Sequence, residues 1–466
     1  MSAQSCQSSE EQKFDEYVDA LAAAMNHPQQ KERLHGYCSG LLLPGERKSM
    51  EPIAAHLDPD RIQAMHHSVQ HFITEGTWSD EAVLARVREQ VLPALHEHGA
   101  IRFWIVDESG LPKKGRHSVG VARQYCGELG KVDNCQVMVS LSVANDVACL
   151  PIAARLYLPE AWAGDFARRD TVHVPLDIRF QTKPAIALEQ IRQAQAAGVA
   201  AGVVLGDEVY GGNPTFRQGV TALGLPYAVA VPATTRVCPP RDGRRARRWR
   251  RHAKPVLTVR DAAGRLPRSA WRWVTWREGS AADLTGRFAM IRIGVAPDGD
   301  GVAREGEQTL LVEWPVGERD PIGCWLVTLP ATTPLNTVVA TAKGRWGIEQ
   351  NYRDLKQEVG LGAFEGRSWR GFHHHVTLCI AAYGYLMLCR CRTMPLAGGR
   401  AAAPSFPHVI DPREPPVRPE RHNPHSIATQ RRRLIIHLAR RLPRCPCCHT
   451  RKYQMAKITQ PEMSLQ

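Results

Sequence analysis

The strongest constraint on the fold is a change of hydrophobic pattern between residues 100 and 232. Three strand-like apolar runs come first, and helical spacing then alternates with two short apolar runs. In chain order these segments are 102–106, 118–125, 136–144, 184–197, 203–205, 214–223 and 227–231. Consecutive strands followed by alternating helices and strands predict an α/β fold, a mixed sheet covered by helices.

The rest of the chain is predicted to flank this core. The N-terminal region has helical spacing, as in Phe14, Tyr17, Val18 and Leu21, and fits either a DNA-binding bundle or a helical cap on the core. Strand-like pieces after residue 232 indicate a β-rich, basic insertion, and a Pro- and Arg-rich composition after 395 is typical of a poorly ordered tail. The predicted boundaries are 1–98, 99–232, 233–335, 336–394 and 395–466.

The net charge indicates the kind of partner, and the cysteines indicate the compartment. A net charge of +14 and a pI near 9.3 favour a polyanionic partner. The 13 cysteines are scattered, which is typical of reduced thiols. The acidic N-terminus is unlike a signal peptide, and the longest apolar stretch, 376–388, is too short to span a membrane. We therefore expect a soluble, cytoplasmic protein with no membrane partner.

Three acidic residues have settings that suit metal-dependent chemistry. Asp107 and Asp207 each end a short apolar run, and Glu349 lies in a helical-looking segment, 345–356. Carboxylates mounted on buried strands and a helix can together hold two Mg²⁺ ions, which promote phosphodiester cleavage. The alternative is that each Asp simply terminates a strand, because Asp is common in turns.

The segment around Glu349 has a second regularity. Arg345, Glu349, Tyr352 and Lys356 are spaced by four, three and four residues, so they lie on one helical face. We predict that Glu349 binds metal and that the other three side chains form a DNA-binding face, with the two cations on phosphates. A solvated face with ion pairs would show the same spacing.

Two basic segments are further candidates for DNA contact. Lys113 and Lys114 follow Asp107 closely, so they are expected near the scissile phosphate, although an ordinary basic turn would look the same. The run 241–251 holds seven arginines, enough for several phosphate contacts. Its alternative interpretation is a solvated loop. The candidate phosphate-binding residues in this run are Arg244, Arg245, Arg247 and Arg248.

Clusters of His and Cys offer weaker candidates for metal binding. Cys445, Cys447, Cys448 and His449 are too closely spaced for all four to bind one Zn²⁺ ion easily, so zinc is disfavoured there. The run 373–375, three histidines after the Glu349 segment, fits packing or phosphate contact better than a metal site.

The segments around the three acids, together with several others, resemble a known family. This family is the DDE transposases of bacterial insertion sequences, in particular the insertion-sequence 701 group. The resemblance runs from about residue 13 to 390. The segments that carry it are 106–115 (Val-Asp-Glu-Ser-Gly-Leu-Pro-Lys-Lys-Gly), 119–125, 134–137, 156–159, 206–211 and the Glu349 helix. This group belongs to a larger class that carries a β-strand insertion before its Glu, and that class has a signature of Tyr, Arg, Glu and Lys at fixed spacing. Arg345, Glu349 and Lys356 match this spacing, while Ala342 stands at the position of the Tyr.

The resemblance implies a fold and an activity. It implies an RNase H-like catalytic domain with Asp107 on the first strand, Asp207 after the fourth and Glu349 on a late helix. It implies two Mg²⁺ ions, with Mn²⁺ able to substitute, and cut-and-paste transposition by end cleavage and strand transfer. The implied partners are double-stranded DNA, as terminal inverted repeats and target, and a second copy of the chain in a synaptic homodimer. The bound protein would be nucleoid-associated.

Two other functions are compatible with the same residues. One is a transposase-derived DNA-binding protein without activity, against which the three intact acids argue. The other is an RNase H-like nuclease that cleaves without strand transfer.

Overall fold

The computed structural model describes residues 10–45, 47–239, 256–277, 284–296, 306–395 and 425–443. The strands within these residues are β1 Phe103–Pro112, β2 Ala122–Cys126, β3 Lys131–Ala144, β4 Cys149–Leu156, β5 Val203–Gly206, β6 Tyr227–Ala230, β7 Arg236–Cys238, β8 Leu257–Thr258, β9 Arg272–Arg277, β10 Leu284–Val295, β11 Gln308–Glu313 and β12 Gly323–Val327. All twelve belong to one mixed sheet.

Helices precede, cover and follow this sheet. They are α1 Glu10–Ala22, α2 Pro28–Leu42, α3 Met50–Leu57, α4 Ile62–Thr74, α5 Asp80–Glu97, α6 Glu160–Ala163, α7 Phe166–Asp170, α8 Lys183–Ala196, α9 Glu208–Gly211, α10 Pro214–Ala222, α11 Val259–Gly264, α12 Leu335–Lys343, α13 Trp346–Gln357, α14 Trp369–Thr393 and α15 Ile427–Leu438. Short 3₁₀ turns lie at Arg268–Ala270 and Ala439–Arg441.

Local sequence explains where several helices begin. Thr182, Ser368 and Ser426 precede α8, α14 and α15, and each side-chain oxygen accepts a hydrogen bond from a backbone N–H of the first turn. Such caps satisfy donors that have no partner inside the helix. The α/β fold predicted from the hydrophobic pattern is confirmed.

The strand order places β1 in the interior of the sheet. The order is β2-β3-β1-β5-β6-β12-β11-β10-β7-β8, with β4 beside β3 and β9 beside β10. β1 pairs antiparallel with β3 and parallel with β5. Both edges of β1 are therefore bonded, which makes this strand a rigid support for a functional side chain.

Two details of the predicted core differ from the structure. β1 continues to Pro112, so Asp107 lies inside the strand rather than at its end. The hydrophobic pattern stopped at Val106 because the next residues are polar or glycine, although most of them are buried and the β1–β3 hydrogen-bonded ladder continues through them. β4 was not predicted, and as a result Asp207 follows the fifth strand rather than the fourth.

The strands of the β-rich insertion continue the core sheet. β12 pairs antiparallel with β6, with Leu326 opposite Val229, and β11, β10 and β7 follow in order. The insertion and the core therefore share one hydrogen-bonded ladder.

The long helix α14 organises the helical region. Its residues are buried along nearly the whole length, as expected for a helix that is apolar all round. Helices α1, α2, α4 and α5 pack against it or against each other, which agrees with a helical cap. Among the described helices, α14 included, none is both long and apolar enough to cross a bilayer.

The tail also contains an ordered element. Residues 395–466 were expected to be poorly ordered, but α15 packs on α1, α2 and α14. It buries Ile427, Leu434 and Leu438. These apolar residues are spaced as on one helical face, although Arg431, Arg432 and Arg433 between them obscured the pattern.

Candidate active site

Asp107 and Asp207 are brought together by parallel pairing of β1 with β5. Ile105 lies opposite Leu205, and each acid follows its partner of this pair by two residues. Side chains two residues apart in a strand point to the same face. The Asp207 carboxylate also caps α9, accepting a hydrogen bond from the backbone N–H of Val209 at 2.9 Å.

A glycine permits the close packing of α9 that fixes Asp207. A Cβ atom on Gly211 would lie 1.9 Å from the carbonyl oxygen of Ala230 in β6. Only a residue without a Cβ atom allows this approach. The segment that begins at Asp207 therefore rests directly on the sheet.

Glu349, on helix α13, lies beside Arg345, the residue that bonds Asp107. The predicted helical face lies along β1, with Arg345 at the level of Asp107 and Lys356 at the level of Gly110. The Glu349 side chain is 62% exposed, whereas that of Asp107 is 10% exposed. One acid of the candidate site is therefore buried and another is open to solvent.

Arg345 links the acids electrostatically. Its Nη1 lies 2.8 Å from Asp107 Oδ2 and its Nη2 lies 3.9 Å from Glu349 Oε1. Burial raises the pKa of Asp107 to about 7, Arg345 opposes this rise and Asp207 adds to it. Burial alone would lower the pKa of Arg345, but Asp107, Asp207 and Glu349 raise it above its ordinary value. Asp207 therefore acts on Asp107 directly, and all three carboxylates act on Arg345.

The sequence comparisons agree with this geometry. Residues 20–283 match the family model described as DDE superfamily endonuclease, which is more than half of the chain. The chain belongs to the DDE superfamily endonucleases. The matched range contains Asp107 and Asp207, while Glu349 lies beyond it.

The chain is also similar to a curated protein that is named as a probable transposase. The chain is 32% identical over 189 residues to the probable transposase for insertion sequence element IS701 of Microchaete diplosiphon. The aligned part covers 40% of this chain and 45% of that relative. The chain thus spans less than half the length of the curated relative that it matches.

Membership of the DDE superfamily endonucleases implies dependence on a divalent metal in general, and the donor set fits such an ion. Asp107, Asp207 and Glu349 offer only carboxylate oxygens, which hard cations such as Mg²⁺ and Mn²⁺ prefer. Burial is the main cause of the raised pKa of Asp107, and Asp207 adds to the rise, so a bound cation would favour the charged carboxylate.

Three cations and the tyrosine predicted to contact DNA differ in their surroundings. Lys356 Nζ donates to Gly110 O at 2.9 Å and to Glu128 Oε2 at 2.7 Å. Lys113 Nζ donates to the carbonyl oxygen of Phe364, and burial lowers its pKa to about 8. Lys114 is exposed in the turn after β1. Tyr352 is buried, so its hydroxyl does not face the surface.

Several candidates lie away from the site or outside the described residues. Arg244, Arg245, Arg247 and Arg248 fall outside them, as do Cys445, Cys447, Cys448 and His449. His373, His374 and His375 are buried in α14. Burial lowers the pKa values of His374 and His375 to about 4, so these residues serve packing in this DDE superfamily endonuclease.

Sequence reasoning missed several residues that support the site. Ser140 lies opposite Asp107 on β3, and its Oγ is 2.7 Å from the Tyr352 hydroxyl. Lys183 Nζ pairs with Glu108 Oε1 at 2.7 Å, on the other face of β1. The Lys183 contact had one signal, since side chains alternate along a strand and Glu108 must therefore point away from Asp107. Ser140 had none, because it is one of two serines in an apolar strand.

Proposed function

We propose that this chain is a DNA transposase, which cleaves DNA at transposon ends and joins them to target DNA. The observation that carries the proposal is the convergence of Asp107, Asp207 and Glu349 from three different elements around Arg345. The matched family and the name of the relative support the same activity.

The roles of the site residues follow from their placement. Asp107, Asp207 and Glu349 would hold the divalent metal, Mg²⁺ with Mn²⁺ as a substitute, which when bound supplies positive charge to the phosphate and activates the attacking oxygen. Asp107 is fixed by the pairing of β1 with β3, where it lies opposite Ser140, and β5 holds the other edge of β1 up to Ile105. Glu349 is open to solvent, so a DNA strand can approach from its side.

Arg345 is placed to receive the scissile phosphate. A guanidinium group has five N–H donors in a planar fork, and Asp107 engages one side of it. Lys114 is an exposed cation two residues after the end of β1. We assign both to phosphate contact, whereas Lys113 and Lys356 orient the backbone of the site through the carbonyl groups that they bind.

The proposed partners are double-stranded DNA, as terminal inverted repeats and as target, and a second copy of the chain. We retain 1–98, 99–232, 233–335 and 336–394 as proposed regions. A cytoplasmic location, on the nucleoid when DNA is bound, is part of the same proposal.

Replacement of each acid tests the proposal. Asp107→Asn, Asp207→Asn and Glu349→Gln should each lower cleavage of the element's own ends with Mg²⁺ by more than about 100-fold. Binding of those ends, measured by gel shift, should stay nearly unchanged. Glu208→Gln, which alters the exposed neighbour of Asp207, is the matched control and should cleave normally.

The outcomes separate transposase from the alternative functions. Full cleavage by Glu349→Gln would remove the third acid from the site. Absence of cleavage by the wild-type protein with intact DNA binding would favour an inactive DNA-binding protein. Cleavage without joining of pre-cut ends to target DNA would indicate a nuclease that lacks strand transfer.

A further inference from the structure

Lys343, the last residue of α12, lies in a cage formed by the β-rich insertion. Its Nζ is 2.5 Å from Glu313 Oε2. The same Nζ lies 5.0 Å from the ring centroid of Trp276, 5.1 Å from that of Trp325 and 5.7 Å from that of Phe288. These four residues, the lysine cage, come one each from β9, β11, β12 and β10.

The register of the insertion explains how the lysine cage forms. Phe288 and Glu313 are directly opposite each other on β10 and β11, so their side chains share one face. On the other side of β11, Glu313 lies opposite Gly323 of β12. A Cβ atom at Gly323 would lie 2.2 Å from the indole of Trp325, so the glycine lets this ring fold over the strand toward Glu313.

The surroundings make the Lys343–Glu313 pair stronger than a surface ion pair. The side chains of Lys343 and Glu313 are 21% and 8% exposed. A partly desolvated ammonium group over aromatic faces gains cation–π attraction. Loss of one member of such a pair leaves the other charge buried without compensation.

The chain leads from the lysine cage directly into the site. Lys343 is followed by Gly344 and then by Arg345, whose guanidinium bonds Asp107. A Cβ atom at Gly344 would lie 2.8 Å from the ring of Phe103 at the start of β1. The link is therefore short and packed against the strand that carries Asp107, so a shift of Lys343 moves Arg345 and the helix behind it.

We propose that Lys343 is a positioning residue, which holds the helix of Arg345 and Glu349 in register with Asp107 by anchoring it in the lysine cage. The β-rich insertion then acts on the chemistry through this side chain, in addition to the ladder that it shares with the core. The inference rests on the proposed function for its cleavage readout, while its metal-affinity readout does not need catalysis.

The experiment compares Lys343→Met with Lys343→Arg in the full chain. Lys343→Met should lower single-turnover cleavage of the element's ends by about 10- to 100-fold, since small misplacement of reacting groups has effects of that size. Affinity for the DNA ends should change less than about twofold. Calorimetry should show Mn²⁺ affinity weakened by about 10-fold. Lys343→Arg keeps the charge and should recover most of both losses.

Arg260→Met is the matched control. Arg260 forms an ion pair with Asp320 at 2.8 Å in the same insertion, but both side chains are about half exposed and lie outside the lysine cage. This variant should retain wild-type cleavage and Mn²⁺ affinity. If Lys343→Met does not fold, the double variant Lys343→Met/Glu313→Gln, which leaves no unpaired buried charge, carries the same comparison.

The results distinguish the two ideas. Wild-type Mn²⁺ affinity and cleavage in the folded Lys343→Met protein would overturn the positioning role, as would losses that only follow the unfolded fraction. A wild-type protein that binds Mn²⁺ but does not cleave would overturn the proposed function. In that case the Mn²⁺ affinities of the variants still decide the role of Lys343.

Discussion

Tyr352 serves the site from beneath rather than through contact with substrate. Its hydroxyl lies 2.7 Å from Ser140 Oγ, directly beside the β1 position of Asp107. Burial raises the pKa of Tyr352 well above its ordinary value, and Asp107 raises it further. The phenol therefore stays neutral and acts as a hydrogen-bonding group that joins α13 to β3.

Tyr352→Phe should lower the free energy of unfolding by about 1 kcal/mol, because the buried Ser140 hydroxyl loses its partner. Affinity for DNA ends should not change. Urea unfolding and gel shift measure the two quantities. Ser140→Ala should have a similar effect on stability, and the double variant should lose less than the sum. Markedly weaker DNA binding by Tyr352→Phe would return this residue to the DNA-contacting surface.

At this scale the sequence singled out the three acids, whose role stays a prediction, but not the residues that surround them. Asp107 and Asp207 were found because each follows a buried run, and Glu349 because of helical spacing. Lys343 and Glu313 are 30 residues apart on different elements. No local spacing links them, since their contact depends on the register of the insertion strands.

Helix α14 carries a histidine whose hydrogen bonds suit the neutral ring. The Tyr37 hydroxyl lies 2.8 Å from His375 Nδ1, and His375 Nε2 lies 3.1 Å from Gly360 O. Neutral His375 with its proton on Nε2 donates to the carbonyl group and accepts from the tyrosine. Burial, which lowers the His375 pKa to about 4, maintains this state.

The helix should therefore be sensitive to acid. The folded-state pKa of about 4 for His375 lies below its ordinary value of 6.5, so between these pH values the unfolded chain binds more protons. The free energy of unfolding should fall as the pH drops from about 6.5 to 4. His375→Gln should make this dependence shallower in urea unfolding, whereas His71→Gln, at an exposed position on α4, should not. An unchanged slope in His375→Gln would contradict the assignment.

The elements that were predicted and those that were missed differ in how regular their hydrophobic pattern is. Helices such as α8 and strands such as β5 were predicted because burial and periodicity coincide there. β4 was missed because Pro151 interrupts it, although β3 still pairs across a register shift at that point. Helix α15 was missed because its arginines interrupt the apolar spacing that marks its buried face.

Across the whole molecule, α15 ties the helical region to helix α13. Arg431 donates to the carbonyl oxygens of Leu42 and Leu43 at 2.8 and 2.9 Å. Its Nη1 also pairs with Glu358 Oε2 at 2.8 Å, just after α13. One side chain thus completes the C-terminus of α2 and restrains the end of α13.

Arg431→Met should lower the free energy of unfolding by about 2 kcal/mol, since it leaves two carbonyl groups and a half-buried carboxylate without this partner. Chemical denaturation measures the change. Arg433→Met, at an exposed position of the same helix, is the control and should stay within about 0.5 kcal/mol of the wild type. Equal stability of both variants would show that α15 docks through its apolar face alone.

The basic run of the insertion should govern the salt dependence of DNA binding. Neutralising Arg244, Arg245, Arg247 and Arg248 should flatten the plot of log affinity against log salt, by about one unit of slope for each phosphate that these arginines neutralise. Fluorescence anisotropy with DNA ends at several salt concentrations measures this slope. An unchanged slope would identify the run as a solvated loop.

The pairing of β6 in the core with β12 in the insertion has a consequence for experiments on fragments of the protein. Deleting residues 233–335 would not yield a smaller, independent core. It would remove β12 from β6 and expose the row of N–H and C=O groups along that edge of β6. Such unprotected edges recruit strands from other molecules. A truncated protein of this kind should aggregate, so the insertion is better studied by point substitution than by excision.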